Sequence, residues 1–380
     1  MKLISMQMKS IVGALLMGPA ALGLPSLAVA AVKSVESAGQ KLAVESLASG
    51  LEHPWGMAFL PDGRLLVTER AGRLRILPPQ GPLSAPLQGV PEVFAEGQGG
   101  LLDVALDPEF DANKLVWLSY AEPGDGGAST ALGRGQLGAG GLDDFQVIFR
   151  QQPKVTGSAH FGGRIVFRDD GTLFLTTGER FRFDPAQDLS SHLGKIIRIT
   201  QDGQAPEDNP FVDQDDARGE IWSYGHRNVE SAALHPQTGD LWIAEMGPEG
   251  GDELNRPEPG RNYGWPEVSW GRHYDGEDIP DPPTRPELAD AIKQWTPVIA
   301  PSGMEFYTGD LIAGWRGSLL IGGLKNGELV RLSLDGSTVA EEERIPLQAR
   351  IRDVEQAPDG SVYVLTDQDE GDVWRLAPQE

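Results

Sequence analysis

Four short segments gather the residue types that could do chemistry. At 157–164 the chain reads GSAHFGGR, which places His160 just before two glycines at the entrance of an expected strand, where a ligand can approach the backbone closely. An imidazole there could act as a general base, although a lone histidine is more often a satisfied structural residue. The strand that follows ends in TTGER, and a hairpin would return Glu179 toward the strand's start. A carboxylate in that place could orient the imidazole and stabilise its charged form. The second segment, SYGHRN at 223–228, offers Arg227 beside Asn228. Their fixed donors suit a carboxylate, a quinone oxygen or a developing oxyanion, unless Arg227 only forms a surface salt bridge.

The third segment, EMGPEGGDELN at 245–255, has a glycine-dense backbone that can expose carbonyls. Asp252 and Glu253 add carboxylates, the oxygen set that a hard cation such as Ca²⁺ favours. It lacks the alternating Asp/Asn spacing of an EF-hand. The fourth group is basic: Lys325 in GGLKNGEL, and Arg350 and Arg352 in RIRD. Isolated basic residues are usually solvated. If the fold brings equivalent loops to one face, however, these three and Arg227 would make a cationic pocket fit for a small polyanion.

Such a fold is legible in a repeat. A run of β-forming residues, Asp/Pro/Gly turn chemistry and a second β-forming run recur six times, at 56–69, 103–121, 164–179, 231–247, 303–324 and 353–368. Each copy reads as a β-hairpin, and the spacing suits four-stranded blades. Helical periodicity is sparse. The expectation is therefore an all-β, six-bladed propeller of four-stranded antiparallel blades, formed by residues 31–380 as one domain. The stretch 42–48 should pair with 372–378, so that the two ends complete one blade and leave no long open edge. The polar or Gly/Pro-rich stretches 122–142, 202–219 and 275–290 are expected to be loops.

Residues 1–30 are set apart from this. Lys2 and Lys9 precede the apolar run IVGALLMGPAALGL and the small-residue site Ala28-Val29-Ala30, the pattern of a secretory signal peptide cleaved near Ala30. No later stretch is apolar enough to span a membrane, so a periplasmic or secreted protein is expected. The chain has no cysteine, which removes disulfides and thiolate chemistry. Its formal net charge is -24, which argues against nucleic acid or an anionic membrane as partner.

Taken in order, HPWGMAFLPDG, GQGGLLDVALDPEF, HFGGR, HLGKIIRI, GHRN, GPEGGDELN, NYGWP, PSGMEFY and RIRDV resemble the soluble glucose/sorbosone dehydrogenases, the aldose sugar dehydrogenases that depend on pyrroloquinoline quinone (PQQ). The resemblance runs from about residue 50 to the C-terminus. It implies PQQ over the central channel beside an active-site Ca²⁺, an aldose oxidised at C1 to its lactone with hydride passing to PQQ C5, and electrons going on to an external acceptor. It implies that His160 is the base, that Glu179 orients it, and that Gln98 lies in the pocket against the sugar. Arg227 and Asn228 match the pair beside the quinone, while Lys325, Arg350 and Arg352 match the residues on its anionic groups. Tyr274 is a further candidate cofactor contact. Backbone oxygens of Gly247 and Pro248 match the ligands of the active-site Ca²⁺, and Glu253 with the backbone of Tyr263 those of a second, structural Ca²⁺. After NYGWP the chain departs from the ligand-rich loop of the glucose-oxidising members.

Two other readings compete. A Ca²⁺-dependent lactonase on a propeller would use carboxylates and a metal but would not need the cationic pocket. A non-catalytic propeller could bind a carbohydrate or a protein. Either a monomer or a homodimer fits the sequence.

Overall fold

The computed structural model describes residues 33–279 and 283–379. The segment 1–30, expected to be a signal peptide, lies outside them. Turn residues cut the described chain into 24 short strands with one four-residue helix and one 3₁₀ turn. The strands fall into six antiparallel sheets. After β1 (Lys33–Ser37) and β2 (Gln40–Leu51), the first blade holds β3 (Pro54–Phe59), β4 (Leu65–Glu69) and β5 (Arg73–Leu77). The second holds β6 (Leu101–Leu106), β7 (Leu115–Gly124), β8 (Gly127–Leu137) and β9 (Leu142–Arg150). The third comprises β10 (Gly162–Phe167), β11 (Thr172–Thr177), β12 (Lys195–Thr200) and β13 (Ile221–Tyr224). The fourth comprises β14 (Val229–Leu234), β15 (Leu241–Glu245), β16 (Asp252–Asn255) and β17 (Lys293–Trp295), and the fifth β18 (Pro301–Phe306), β19 (Leu319–Gly323), β20 (Glu328–Asp335) and β21 (Thr338–Pro346). The sixth has β22 (Ile351–Gln356), β23 (Val362–Thr366) and β24 (Gly371–Pro378).

The first strand of every blade touches the first strands of both neighbours, so β3, β6, β10, β14, β18 and β22 form a closed inner ring. Each of the six repeated phrases is the inner hairpin of one blade. The ring is closed as expected: β2 pairs with β24, Leu42 lying opposite Pro378 and Ala48 opposite Val373. This blade gains a fifth strand because β1 folds back on β2.

Two expectations are corrected. The first blade has three strands among the described residues rather than four. Its outer segment carries Pro78, Pro79, Pro82, Pro86 and Pro91, which remove ladder donors. The amides of Ser84 and Leu87 reach β5 at Ile76 and Leu74, and Ser84 also accepts from the Ile76 N–H and the Arg75 side chain. The stretch 122–142 is largely strand, not loop. Asp125-Gly126 makes the tight turn that lets Gly124 pair with Gly127, a dipeptide suited to a two-residue hairpin.

Burial follows the blades. Apolar clusters fill the spaces between neighbouring sheets, such as Leu66, Leu101, Val104 and Leu118 between the first and second blades. In the channel, Arg164 ties opposite walls together, with Nη1 3.0 Å from Asp103 and 2.9 Å from Asp353 and Nε donating to the Glu230 carbonyl at 2.8 Å. One irregularity recurs. In all six inner hairpins the register slips near the start of the first strand, between Pro54 and Met57, Leu101 and Val104, Gly162 and Ile165, Val229 and Ser231, Pro301 and Met304, and Ile351 and Asp353. Such bulges bend a strand and re-aim its side chains. They lie at the end of the ring where the candidate chemical residues cluster.

Candidate active site

Two loops meet at the entrance of β10. Gly178, directly after β11, crosses so close to the chain at His160 that a Cβ there would stand 2.1 Å from the His160 carbonyl oxygen. Only glycine permits the crossing, and it delivers Glu179 to the imidazole: Oε1 lies 2.6 Å from Nδ1. The other oxygen, Oε2, accepts the backbone N–H groups of Phe183, at 2.8 Å, and Arg182. The Gln98 carboxamide oxygen accepts the His160 N–H at 2.6 Å. His160 has φ 54°, and Arg180, Phe181 and Phe183 have φ between 58° and 63°. Non-glycine residues in this region cost about 1–3 kcal/mol each and persist where the surroundings over-determine them, often at functional sites.

Electrostatics fixes the dyad's roles. Burial, and to a lesser degree the nearby Arg227 charge, draw the His160 pKa below its ordinary value although Glu179 pulls the other way. Burial raises the Glu179 carboxyl, but the hydrogen bond and charge of His160 and the two backbone amides outweigh it and leave the pKa below the usual range. An ionised Glu179 can only accept. Nδ1 therefore carries the ring proton, and Nε2 keeps its lone pair and has no protein partner among the described residues.

A second dyad nearby shows the contrast. His226 Nδ1 lies 2.9 Å from Glu245, but its Nε2 is taken by the Ser223 hydroxyl at 2.9 Å, and the ring is fully buried. It is spent on structure.

Arg227 follows His226 and is buried. Its Nη1 donates to the carbonyls of Met246 at 3.0 Å and Gly247 at 2.7 Å, Nη2 lies 3.4 Å from the Tyr274 hydroxyl, and Nε is buried without a partner. Tyr274 is 64% exposed and stacks on Phe181, whose ring lies against His160. Asn228 is fully buried, with its amide directed to Glu230 and its oxygen to the Gly162 N–H, so its polar atoms serve the scaffold.

The other cations gather across the channel mouth. Arg352 is buried between Glu230 at 2.5 Å and Asp367 at 2.7 Å, while Arg350 shares Asp367 at 2.9 Å and donates to the Leu324 carbonyl. Lys325, beside Leu324, is exposed and forms no salt bridge among the described residues. Sequence reasoning missed Arg70. Half-buried, it donates to the Gly97 carbonyl at 2.7 Å next to Gln98, and it lies in the field of Arg352, Arg350, Asp367 and Glu230. Its place directly after the first inner hairpin, like Arg180 after the third, was the available signal. Arg350, Arg352 and Arg70 gather around Glu230 and Asp367, and Lys325 has no carboxylate partner among the described residues, so this side of the mouth offers donors suited to a polyanion such as PQQ.

The GPEGGDELN turn shows which oxygens could hold a cation. Asp252, expected to supply a carboxylate, instead accepts the amides of Gly247, Ile299 and Ala300. The carbonyls of Pro248 and Tyr263 have no protein donor among the described residues. Glu253 lies opposite Glu245 in the β15–β16 ladder, and burial and that like charge push its carboxyl up to about 8. A cation there would offset that cost. A cavity of about 20 Å³ lined by Glu245, Glu253, Tyr263 and Ser269 adjoins these groups, so the residues present fit Ca²⁺.

Comparison with known proteins shows the family. The sequence profile described as Glucose / Sorbosone dehydrogenase matches residues 51–375. The chain is 46% identical over 346 residues to aldose sugar dehydrogenase YliI of Escherichia coli, covering 88% of this chain and 93% of that protein. The crystal structure of the soluble aldose sugar dehydrogenase from E. coli superposes with a TM-score of 0.86 at 44% identity, covering 89% of this chain and all of the other. The PQQ-bound aldose sugar dehydrogenase of Streptomyces coelicolor superposes with a TM-score of 0.73 at 29% identity, covering 90% and 99% of the two chains. The protein is an oxidoreductase, and it belongs to the glucose/sorbosone dehydrogenase family.

Proposed function

We propose that this chain oxidises an aldose at C1 to the lactone in a PQQ- and Ca²⁺-dependent reaction, with His160 as general base. The observation that carries the reading is the half-satisfied imidazole: Nδ1 is held by Glu179 while Nε2 has no protein partner among the described residues, beside a mouth that gathers Arg70, Arg227, Arg350 and Arg352. In this reading Nε2 takes the proton of the anomeric hydroxyl, and the Glu179 carboxylate stabilises the imidazolium that forms. Gln98, whose carboxamide oxygen is committed to the His160 amide, keeps its NH₂ for a sugar hydroxyl. Arg227 supplies positive charge where the oxygen becomes negative.

Lys325, Arg350, Arg352 and Arg227 would hold PQQ, with Tyr274 as a lateral contact. Gly247 and Pro248 carbonyls would hold the adjacent Ca²⁺, and Glu253 with the Tyr263 carbonyl the second. When bound, PQQ supplies the two-electron acceptor and Ca²⁺ a Lewis acid. Reoxidation needs a separate acceptor. Export to the periplasm or medium rests on the segment 1–30. Among the described residues, no helix is long and apolar enough to cross a membrane.

The test is spectroscopic. Protein mixed with PQQ and Ca²⁺ should give a quinone absorbance that an aldose bleaches. No bleaching by any aldose, in protein shown to bind PQQ, would refute the assignment.

A further inference from the structure

The most anomalous ionisable group outside the dyad is Lys195, the first residue of β12. It is fully buried and forms no salt bridge among the described residues. Its ammonium instead sits among three backbone carbonyls, those of Pro185 at 2.7 Å, Ala186 at 3.0 Å and Leu193 at 2.7 Å. Three acceptors use three protons, and only the charged amine has three to give. Burial draws its pKa down to about 7, so the site bears an electrostatic cost that plain core filling does not require.

What the carbonyls belong to suggests a purpose. Pro185 and Ala186 lie in the 3₁₀ turn Asp184–Ala186, within the loop from Gly178 to Gly194 that joins β11 to β12. The Ala186 N–H closes that turn on the Phe183 carbonyl at 3.0 Å. The Phe183 N–H in turn donates to Glu179 Oε2, and Glu179 Oε1 holds His160 Nδ1. A continuous run of hydrogen bonds thus leads from Lys195 to the imidazole. It spans the three non-glycine residues of this loop that have positive φ, Arg180, Phe181 and Phe183, a backbone that relaxes unless anchored on both sides. Arg180 anchors the near side through the Gly157 carbonyl at 2.6 Å; Lys195 anchors the far side.

We infer that Lys195 is a positioning residue, whose buried ammonium clamps the Asp184–Ala186 turn so that the Phe183 amide keeps Glu179 against His160 Nδ1. The clamp stands on geometry alone; its effect on turnover rests on His160 being the base.

The experiment therefore reads both separately. In ¹⁵N-histidine spectra of the full chain, the His160 Nδ1–H resonance, assigned by its absence in H160A, reports the dyad directly. Lys195→Met should lose that resonance or average it between tautomers. In the holoenzyme its hydride-transfer rate, measured on prebound PQQ, should fall about 10–100-fold, the usual effect of removing a group that orients a reacting side chain. Lys195→Gln keeps two donors, should retain part of both signals, and serves if the methionine variant does not fold. A lysine that only fills the core would lower thermal stability and leave the resonance in place. A wild-type resonance in either folded variant overturns the inference. Loss of the resonance with an undiminished rate supports the clamp and instead removes His160 from the chemistry.

Discussion

Glu179 Oε1 and His160 Nδ1 are 2.6 Å apart, and the opposite ring nitrogen of His160 has no protein partner among the described residues. Removing the imidazole should therefore cost chemistry and spare binding. His160→Ala should bind PQQ and Ca²⁺ nearly as the wild type does, and single-turnover reduction of bound PQQ by an aldose should slow by roughly 10²–10⁴-fold. An unchanged hydride-transfer rate would eliminate His160 as the base.

The dyad also sets a pH profile. Only neutral His160 accepts a proton, and burial holds its pKa below the ordinary value of about 6.5. The rate should rise with pH through a midpoint under that value and be flat across neutrality. Because Glu179 raises the His160 pKa, Glu179→Gln should move the acid limb further down while lowering the plateau. Stopped-flow rates from pH 4.5 to pH 8, on the order of the imidazole range, decide it; a limb that moves up refutes the arrangement.

Lys325 and Arg352 should behave differently although both lie in the cationic mouth. Lys325→Ala breaks no internal ion pair, so it should weaken PQQ binding about 10–100-fold, as expected for one charge-assisted contact of about 1.5–3 kcal/mol, with little change in melting temperature. Arg352→Ala leaves Glu230 buried without its ion-pair partner and removes the buried partner of Asp367, which keeps only Arg350 and His53. It should cost about 3–5 kcal/mol of stability as well as affinity. Equal melting temperatures for both variants would contradict the packing described here. Burial raises the Asp367 carboxyl, but Arg352, His53 and Arg350 outweigh it and hold its pKa far below the usual range. This cluster therefore stabilises the fold above the unfolded-state value of about 3.9, and that contribution is lost as pH falls toward the lower folded value.

Ca²⁺ should protect the fold through Glu253. Adding Ca²⁺ to chelated protein at about 100 times its dissociation constant should stabilise it by about 2.7 kcal/mol per site. In Glu253→Gln that gain, followed by thermal unfolding, should shrink. A full gain in the variant would place the structural cation elsewhere.

Much of this was legible because turn chemistry and strand alternation are local. The six hairpins follow from short-range signals, and the closing pair at residues 42–48 and 372–378 from the requirement that a ring leave no long open edge. What escaped was decided across blades. That Arg352 also pairs with Glu230 and Asp367, that the polar atoms of Asn228 bond to Glu230 and Gly162, and that Arg70 joins the mouth depend on which loops meet over the channel. The Asp125-Gly126 hairpin was missed for another reason: glycine density around it masked a strong turn signal. Lys195 sat in a matched motif, yet nothing in HLGK discloses that its amine points at carbonyls from the preceding loop.

The pairing of β2 with β24 has a kinetic consequence. Leu42 and Pro378 stand at opposite ends of the described chain, so the last ladder cannot zip until nearly the whole polypeptide is present and the closure entropy of a very long loop has been met. Five blades can condense early from neighbouring hairpins, but the sixth waits. Refolding from denaturant should accordingly show a slow final phase, seen in the fluorescence of Trp374 on β24 and absent from a circular permutant that joins β24 directly to β2. Until that phase completes, the sixth blade, which carries Arg352 and Asp367, is unfinished, so cofactor binding should lag behind the bulk of secondary structure.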